Sequence, residues 1–211
     1  MAVLSNTGSV NQIMKLAEAR TLVGIGPGIG TESDTAETVK RLFAELSKPM
    51  VVDADALNCI AGSNWHGGGG PRVLTPHPGE MARLAGKSVP EIQADRIGAA
   101  RGLSTARNVI VVLKGERTLI AFPDGRVWIN PTGSPAMAKG GTGDILTGMI
   151  SGLLAQFPND AERAVAGAVY LHGLAGEIAA RKLTEQTVLA TDLLHWLPEG
   201  IREITNVPDP V

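Results

Sequence analysis

Short apolar runs alternate with stretches of helical period along most of this chain. The short apolar run "TLVGI" (Thr21–Ile25) reads as the first strand, and "MVVDA" (Met50–Ala54) and "RVLT" (Arg72–Thr75) read as buried strands. Between the first two, Val39, Leu42, Phe43 and Leu46 fall on one face of a helix expected from about Ser33, its plausible N-cap, to Leu46. Pro78 and Gly86 bracket a further short helix, with proline just inside the start and glycine just past the end. A longer helix is expected from about Val89 to Ala106, followed by three strands, "VIVVLK" (Val109–Lys114), "TLIAF" (Thr118–Phe122) and "RVWIN" (Arg126–Asn130). Asp124-Gly125 between the last two is a hairpin signal. The remainder reads as helices over about Gly143–Gln156, Ala161–Arg181 and Thr191–Ile204.

Alternating strand and helix units followed by a hairpin predict an α/β fold. The expected form is a mostly parallel, doubly wound sheet flanked by helices, with an antiparallel hairpin at the edge. No tandem repeat interrupts this order, and the low-complexity tract "HGGGGP" (His66–Pro71) reads as a loop tip. A chain of 211 residues fits a single domain over 1–211. In such sheets ligands bind beyond the carboxyl ends of the parallel strands. Gly26 and Gly28 follow the first strand, Asp53 and Asp55 the second, His77 and Glu80 the third, and Lys114 the fourth. These residues are therefore expected to converge.

Composition narrows the partners. Apolar residues make up 44% and aromatics 3%, so the core must be aliphatic. The 19 Lys and Arg against 21 Asp and Glu give a net charge of −2, which argues against a nucleic-acid footprint. No apolar run approaches the ~20 residues of a membrane span. The start "MAVLSNTGSVNQ" lacks a signal peptide's basic and apolar regions, and Cys59 is a single thiol. A cytoplasmic protein is expected, with room for homo-oligomers.

The chemistry concentrates in "NPTGSPAMAKGGTGDILTG" (Asn130–Gly148). Glycines ahead of a helix let the backbone approach a ligand, and the N–H groups at Gly141, Thr142 and Gly143 would face an anion. Asp144 in the first helical turn is either a favourable charge at the dipole or a base that takes a hydroxyl proton. No Lys-Ser/Thr follows the glycines, so the stretch is not a Walker loop. "IGPGIG" (Ile25–Gly30) is either a tight turn or a backbone contact for a ligand. Asp55 reads equally as a helix N-cap and as a site residue. In "TPHPGE", His77 stands three residues before Glu80 on the ligand face, and in "LKGERT" Lys114 offers a point charge for phosphate. His172 and Met149 read as packing residues.

Taken together, "IGPGIG", "VVDADALN", "LTPHPGEMARLAG", "VVLKGERT", "AKGGTGDILTGMISGLLAQ", "LHGLAG" and "LATDLL" resemble the ADP/ATP-dependent NAD(P)H-hydrate dehydratases of the ribokinase-like superfamily. The resemblance runs from about Thr21 to Ile204. It implies an enzyme that phosphorylates the C6 hydroxyl of hydrated NADH or NADPH with ADP or ATP and Mg²⁺, then expels phosphate to restore the ring. By the same resemblance Asp144 is the base and a substrate contact, and Gly141, Thr142 and Gly143 form an anion hole. Lys114, Gly115, Glu116, Arg117, Thr118 and Gly143 bind the nucleotide. Gly26, Gly28 and His77 would touch the hydrated cofactor, and Glu80 would organise Mg²⁺ through water. The family usually opens with a further strand, a glycine segment and a helix; nothing before Thr21 resembles that unit, so a sheet neighbour and one pocket wall are expected to be missing. A small-molecule kinase acting on a vitamin-precursor alcohol and a non-catalytic nucleotide-binding module are the competing readings.

Overall fold

The strands of this chain are short, and the four central ones are buried at every position. In a computed structural model, which describes residues 7–66 and 69–205, six strands pair in the order of the chain. They are β1 (Val23–Ile25), β2 (Met50–Val52), β3 (Arg72–Leu74), β4 (Ile110–Leu113), β5 (Leu119–Ala121) and β6 (Val127–Ile129). The first four run parallel, and β4–β5 and β5–β6 are antiparallel. The hairpin expected at Asp124-Gly125 joins β5 to β6, with Gly125 at φ +89 and its N–H donating to the Phe122 carbonyl.

Nine helices are described: α1 (Thr7–Glu18), α2 (Ser33–Glu45), α3 (Ala54–Ile60), α4 (Pro78–Ala85), α5 (Val89–Ala94), α6 (Arg96–Arg107), α7 (Thr142–Gln156), α8 (Ala161–Leu183) and α9 (Ala190–Thr205). Because β1 to β4 advance in one direction through right-handed crossovers, the helices between them all cover one face. The period of two along the strands assigns side chains accordingly. Met50, Val52, Leu74, Val111 and Leu113 meet α1–α6, while Val51, Val73, Ile110 and Val112 meet α7 and α8. The sheet is thus covered on both faces, the second by the C-terminal helices rather than by crossovers after a reversal of strand order. A smaller cluster, Ala136, Ala175, Ala179, Val188 and Leu193, packs α9 onto α8.

Several local expectations change. Ser33 is the first residue of α2, and the N-cap, Glu32, makes no side-chain bond. The helix expected over 89–106 breaks at Asp95, which ends α5 and starts α6; its carboxylate accepts from Gly98 N at 2.8 Å. Capping by a short acid competes with continued helix, and here it wins. Helix α1 was not expected; its stripe of Val10, Ile13, Met14 and Ala17 packs into the first core. In "HGGGGP", Gly67 and Gly68 lie outside the described residues, as do residues 1–6 and 206–211.

Arg72 at the start of β3 is 1% exposed, yet its guanidinium has no carboxylate. It donates instead to the carbonyls of Phe43, Leu46, Lys48 and Gly70, closing the C-terminal end of α2. Burial lowers its pKa to about 10, so it stays charged at neutral pH.

Candidate active site

Four loops meet at the carboxyl ends of β1–β4, and one buried carboxylate ties two of them to a helix from the C-terminal part of the chain. Asp53 follows β2 and is 1% exposed. Its Oδ1 receives the Lys114 ammonium at 2.8 Å, and its Oδ2 accepts from the Thr147 hydroxyl of α7 at 2.9 Å. The Lys114 Nζ also lies 3.9 Å from Glu80 Oε2, so one ammonium stands between two buried acids. Asp55, the other reading of the strand-end acids, is not the cap. Asp53 holds the N-cap position of α3, and Asp55 lies in the first turn, accepting from Gly30 N at 3.0 Å.

His77 and Glu80 form a reciprocal cap at the start of α4. The His77 Nδ1 accepts from Gly79 N at 2.9 Å and from Glu80 N at 3.4 Å. The Glu80 Oε2 accepts from His77 N at 2.8 Å. Since Nδ1 accepts, the ring proton sits on Nε2, which lies 3.4 Å from Glu80 Oε1. The imidazole is half exposed and faces a cavity, while Glu80 is buried.

That cavity measures about 850 Å³. One wall is the β4–β5 turn, where Lys114, Gly115, Glu116, Arg117 and Thr118 all line it. Gly115 at φ +134 and Arg117 at φ +50 shape the turn, and Arg96 holds it from behind through the Leu113, Lys114 and Glu116 carbonyls. The opposite wall is the segment from Asn130 to Gly140, then Thr142, Gly143 and His172. This wall seats on α8 where side chains are absent: a Cβ on Gly173 would lie 2.2 Å from Thr132 Oγ1, and one on Gly176 2.3 Å from the Met137 sulfur. The glycines of "LHGLAG" are therefore sockets for the cavity wall.

The glycine turn ahead of α7 is fixed at its sides and open at its tip. Gly141 is the N-cap, at φ +90. The Thr142 hydroxyl donates to the Met137 and Lys139 carbonyls, both at 2.8 Å. Lys139 donates to the carbonyls of Glu185, Gln186 and Val188, which ties the turn to the α8–α9 loop. His172 holds the Thr142 carbonyl at 2.9 Å; burial, with Lys114's charge adding to it, pushes its pKa down to about 4, so it is neutral and donates from Nε2. The N–H groups of Gly143 and Asp144 have no backbone acceptor among the described residues. A Cβ on Gly143 would lie 3.4 Å from Lys114 Nζ. Anion donors and a cation thus meet at one point.

Asp144 is exposed and does not line the cavity, although Gly143 and Leu146 on either side of it do. Gly26 and Gly28 also lie outside the cavity. Gly26, at φ +141, is pressed against Asp53, where a Cβ would come within 1.7 Å of the carbonyl oxygen. Gly28 is exposed with open space around it. Sequence reasoning noted Asp53 only as a strand-end acid, took His172 for packing, and missed Thr147, Arg96 and Lys139. Position at a strand end was the available signal for Asp53; the other three carried none.

The family description "NAD(P)H-hydrate dehydratase" (Carb_kinase) matches residues 2–199. This chain belongs to the NAD(P)H-hydrate dehydratase family. Within it, the chain is 47% identical over 192 residues to the bifunctional NAD(P)H-hydrate repair enzyme Nnr of Moorella thermoacetica, covering 90% of this chain and 36% of that protein. It is 41% identical to the ADP-dependent (S)-NAD(P)H-hydrate dehydratase of Bacillus subtilis, covering 87% of this chain and 65% of the relative. The chain therefore spans less than two thirds of either. A crystal structure of the Bacillus subtilis ADP/ATP-dependent NAD(P)H-hydrate dehydratase, co-crystallised with ATP/Mg²⁺, superposes with a TM-score of 0.81 at 39% identity, covering 90% of this chain and 69% of that one. A ribokinase-like superfamily protein from Enterococcus faecalis gives 0.78 at 29% identity, covering 93% and 68%. The fold of this dehydratase-family chain is accordingly ribokinase-like.

Proposed function

We propose that this chain dehydrates hydrated NADH or NADPH at the expense of ADP or ATP. The observation that carries the reading is the meeting of two features at Gly143. On one side lies a cavity walled by Lys114–Thr118; on the other stands an exposed carboxylate, Asp144, in the first turn of α7. The nucleotide occupies the cavity and delivers its terminal phosphoryl to the open N–H groups at Gly143 and Asp144. Gly141 and Thr142 shape that turn, and the Lys114 ammonium adds charge. Asp144 takes the proton of the C6 hydroxyl as its oxygen bonds to phosphorus and the phosphoanhydride bond breaks. In the second step the C6–O bond breaks, phosphate departs with the electron pair, and loss of the C5 proton forms the ring double bond. Phosphoryl transfer asks for positioning and charge neutralisation, which this arrangement offers.

Among the described residues no group of three or more His, Cys, Asp or Glu is disposed to cage a metal. Glu80, buried beside Lys114, suits Mg²⁺, which keeps several waters and leans on one or two carboxylates and phosphate oxygens, whereas both oxygens of Asp53 are taken by Lys114 and Thr147. Glu80, already engaged by His77, would act through water; the ion would neutralise charge on the phosphoryl oxygens. His77 faces the cavity and is read as a substrate contact, as are Gly26 and Gly28 at the end of β1. A cytoplasmic setting, with which the free thiol of Cys59 accords, and small-molecule partners rather than nucleic acid, with which the net charge of −2 accords, are part of the reading; no described helix is long and apolar enough to cross a membrane. Self-association is part of the reading, supported by β1 at the sheet edge and exposed Leu194, Ile201 and Ile204 on α9; sedimentation velocity tests it.

The enzymatic test is direct. Hydrated NADH supplied with Mg²⁺ and ADP or ATP should regain the absorbance of the reduced nicotinamide ring. A preparation that binds nucleotide yet never restores it would refute the dehydratase and favour a kinase or a binding module.

A further inference from the structure

Asp53 is held in place at some cost to its surroundings, and its side chain does nothing for the helix it begins. It sits at the N-cap of α3, where its carbonyl accepts from Ala56 N at 3.1 Å, but its carboxylate makes no capping bond. The next residue, Ala54, is left-handed at φ +48, a strained backbone for a residue with a Cβ. Gly26 must be glycine to let the Asp53 carbonyl approach. What these features secure is the direction of one buried carboxylate, whose two oxygens serve two separate elements: Lys114 at the end of β4 and Thr147 in the second turn of α7. Gly143 lies over the pair, since a Cβ there would be 3.4 Å from Lys114 Nζ and 3.8 Å from Asp53 Oδ2.

We propose that Asp53 is a positioning residue for phosphoryl transfer, an inference that rests on the reading of the site given above. It fixes the Lys114 ammonium at a set distance from the N-terminus of α7, so that cation and helix act on the same phosphoryl group. A lysine ammonium on a four-carbon stem has no fixed place of its own. The anion donors of α7 belong to a different part of the chain, 94 residues from Asp53 at Thr147. A single carboxylate gives both one reference point. Misplacement by about 1 Å is enough to cost a reaction about 10²-fold. Asp53 also neutralises Lys114 while the site is empty. Removing its charge therefore frees the ammonium to attract phosphate but lets it wander, and binding and turnover move apart.

The experiment begins with calorimetric titration of ADP and ATP into the unaltered chain, followed by turnover of hydrated NADH. Absence of binding or turnover would remove the reading of the site and this inference with it. Given both, Asp53→Asn, which keeps the size and one acceptor oxygen, should leave the nucleotide Kd unchanged or lower and reduce kcat by about 10- to 100-fold. Combined with Lys114→Met it should add little, because the two act as a unit. Thr147→Val should lower kcat several-fold without changing the charge, and Thr147→Ser should restore it; this pair decides the matter even if Asp53→Asn folds poorly. Independent, multiplying effects of Asp53→Asn and Lys114→Met would overturn the inference while leaving the dehydratase reading intact. So would a raised Mg²⁺ requirement at unchanged nucleotide affinity, which would make Asp53 a metal ligand, or equal losses in Kd and kcat.

Discussion

Two glycine-rich turns approach the same site, and they use glycine for opposite purposes. In "GPGIG" after β1, two of the three glycines are consumed by the protein itself: Gly26 abuts the Asp53 carbonyl, and the Gly30 N–H is taken by Asp55. In "KGGTG" before α7, the neighbours hold the turn from behind, through Lys139, Thr142 and His172, and leave the N–H groups of Gly143 and Asp144 without backbone partners among the described residues. Glycine density alone does not distinguish a packed turn from a receptive one. The location of the hydrogen-bond partners does.

The largest effect expected from breaking this contrast is Gly26→Ala. With φ at +141 and a Cβ 1.7 Å from a backbone oxygen, neither side can yield cheaply. A loss of at least about 4 kcal/mol is expected, read by urea unfolding or as failure to obtain folded protein. Next comes His172, which steadies the second turn. Its folded pKa, about 4, lies below the 6.5 of a free imidazole side chain, so the unfolded chain binds the extra proton between those values. Stability from this residue is complete above about pH 6.5 and falls as pH drops through about 4, by up to about 3 kcal/mol. His172→Gln should flatten that part of the stability–pH curve, measured by unfolding at a series of pH values.

Asp144→Asn tests the receptive turn without touching its frame. The side chain is exposed, so unfolding and nucleotide binding should be unchanged, while dehydration falls by at least about 10²-fold. Near-normal activity would remove Asp144 as the base. The smallest effect concerns Gly148, exposed within α7 and with nothing within 4 Å of a Cβ. Its alanine variant should gain about 0.5–1 kcal/mol of stability, the ordinary helix-interior benefit, read as a raised Tm.

The fold was largely readable because its signals are local. Strand runs such as Met50–Ala54, the Pro78 and Gly86 boundaries and the Asp124-Gly125 turn each depend on neighbours within a few residues. The places where the chain departs from expectation depend on distant partners or on competing caps. The Asp53–Lys114 pair spans 61 residues and the Asp53–Thr147 bond 94, separations at which spacing carries no information. The break at Asp95 was hidden because the helical period continues on either side of it. In the candidate site, strand-end logic gathered His77, Glu80, Lys114 and Asp53 correctly. It did not separate Gly26, a packing glycine at the edge of the site, from Gly143, which faces the Lys114 ammonium.

Arg72 has a consequence for cooperativity. Its acceptors come from residues 43–48 and from Gly70, so they stand together only when the end of α2, its exit loop and the start of β3 are all in place. A guanidinium withdrawn from water before those carbonyls converge bears a large desolvation penalty. Docking of β3 and closure of the C-terminal end of α2 are thereby coupled through one side chain, so neither can open without exposing the other.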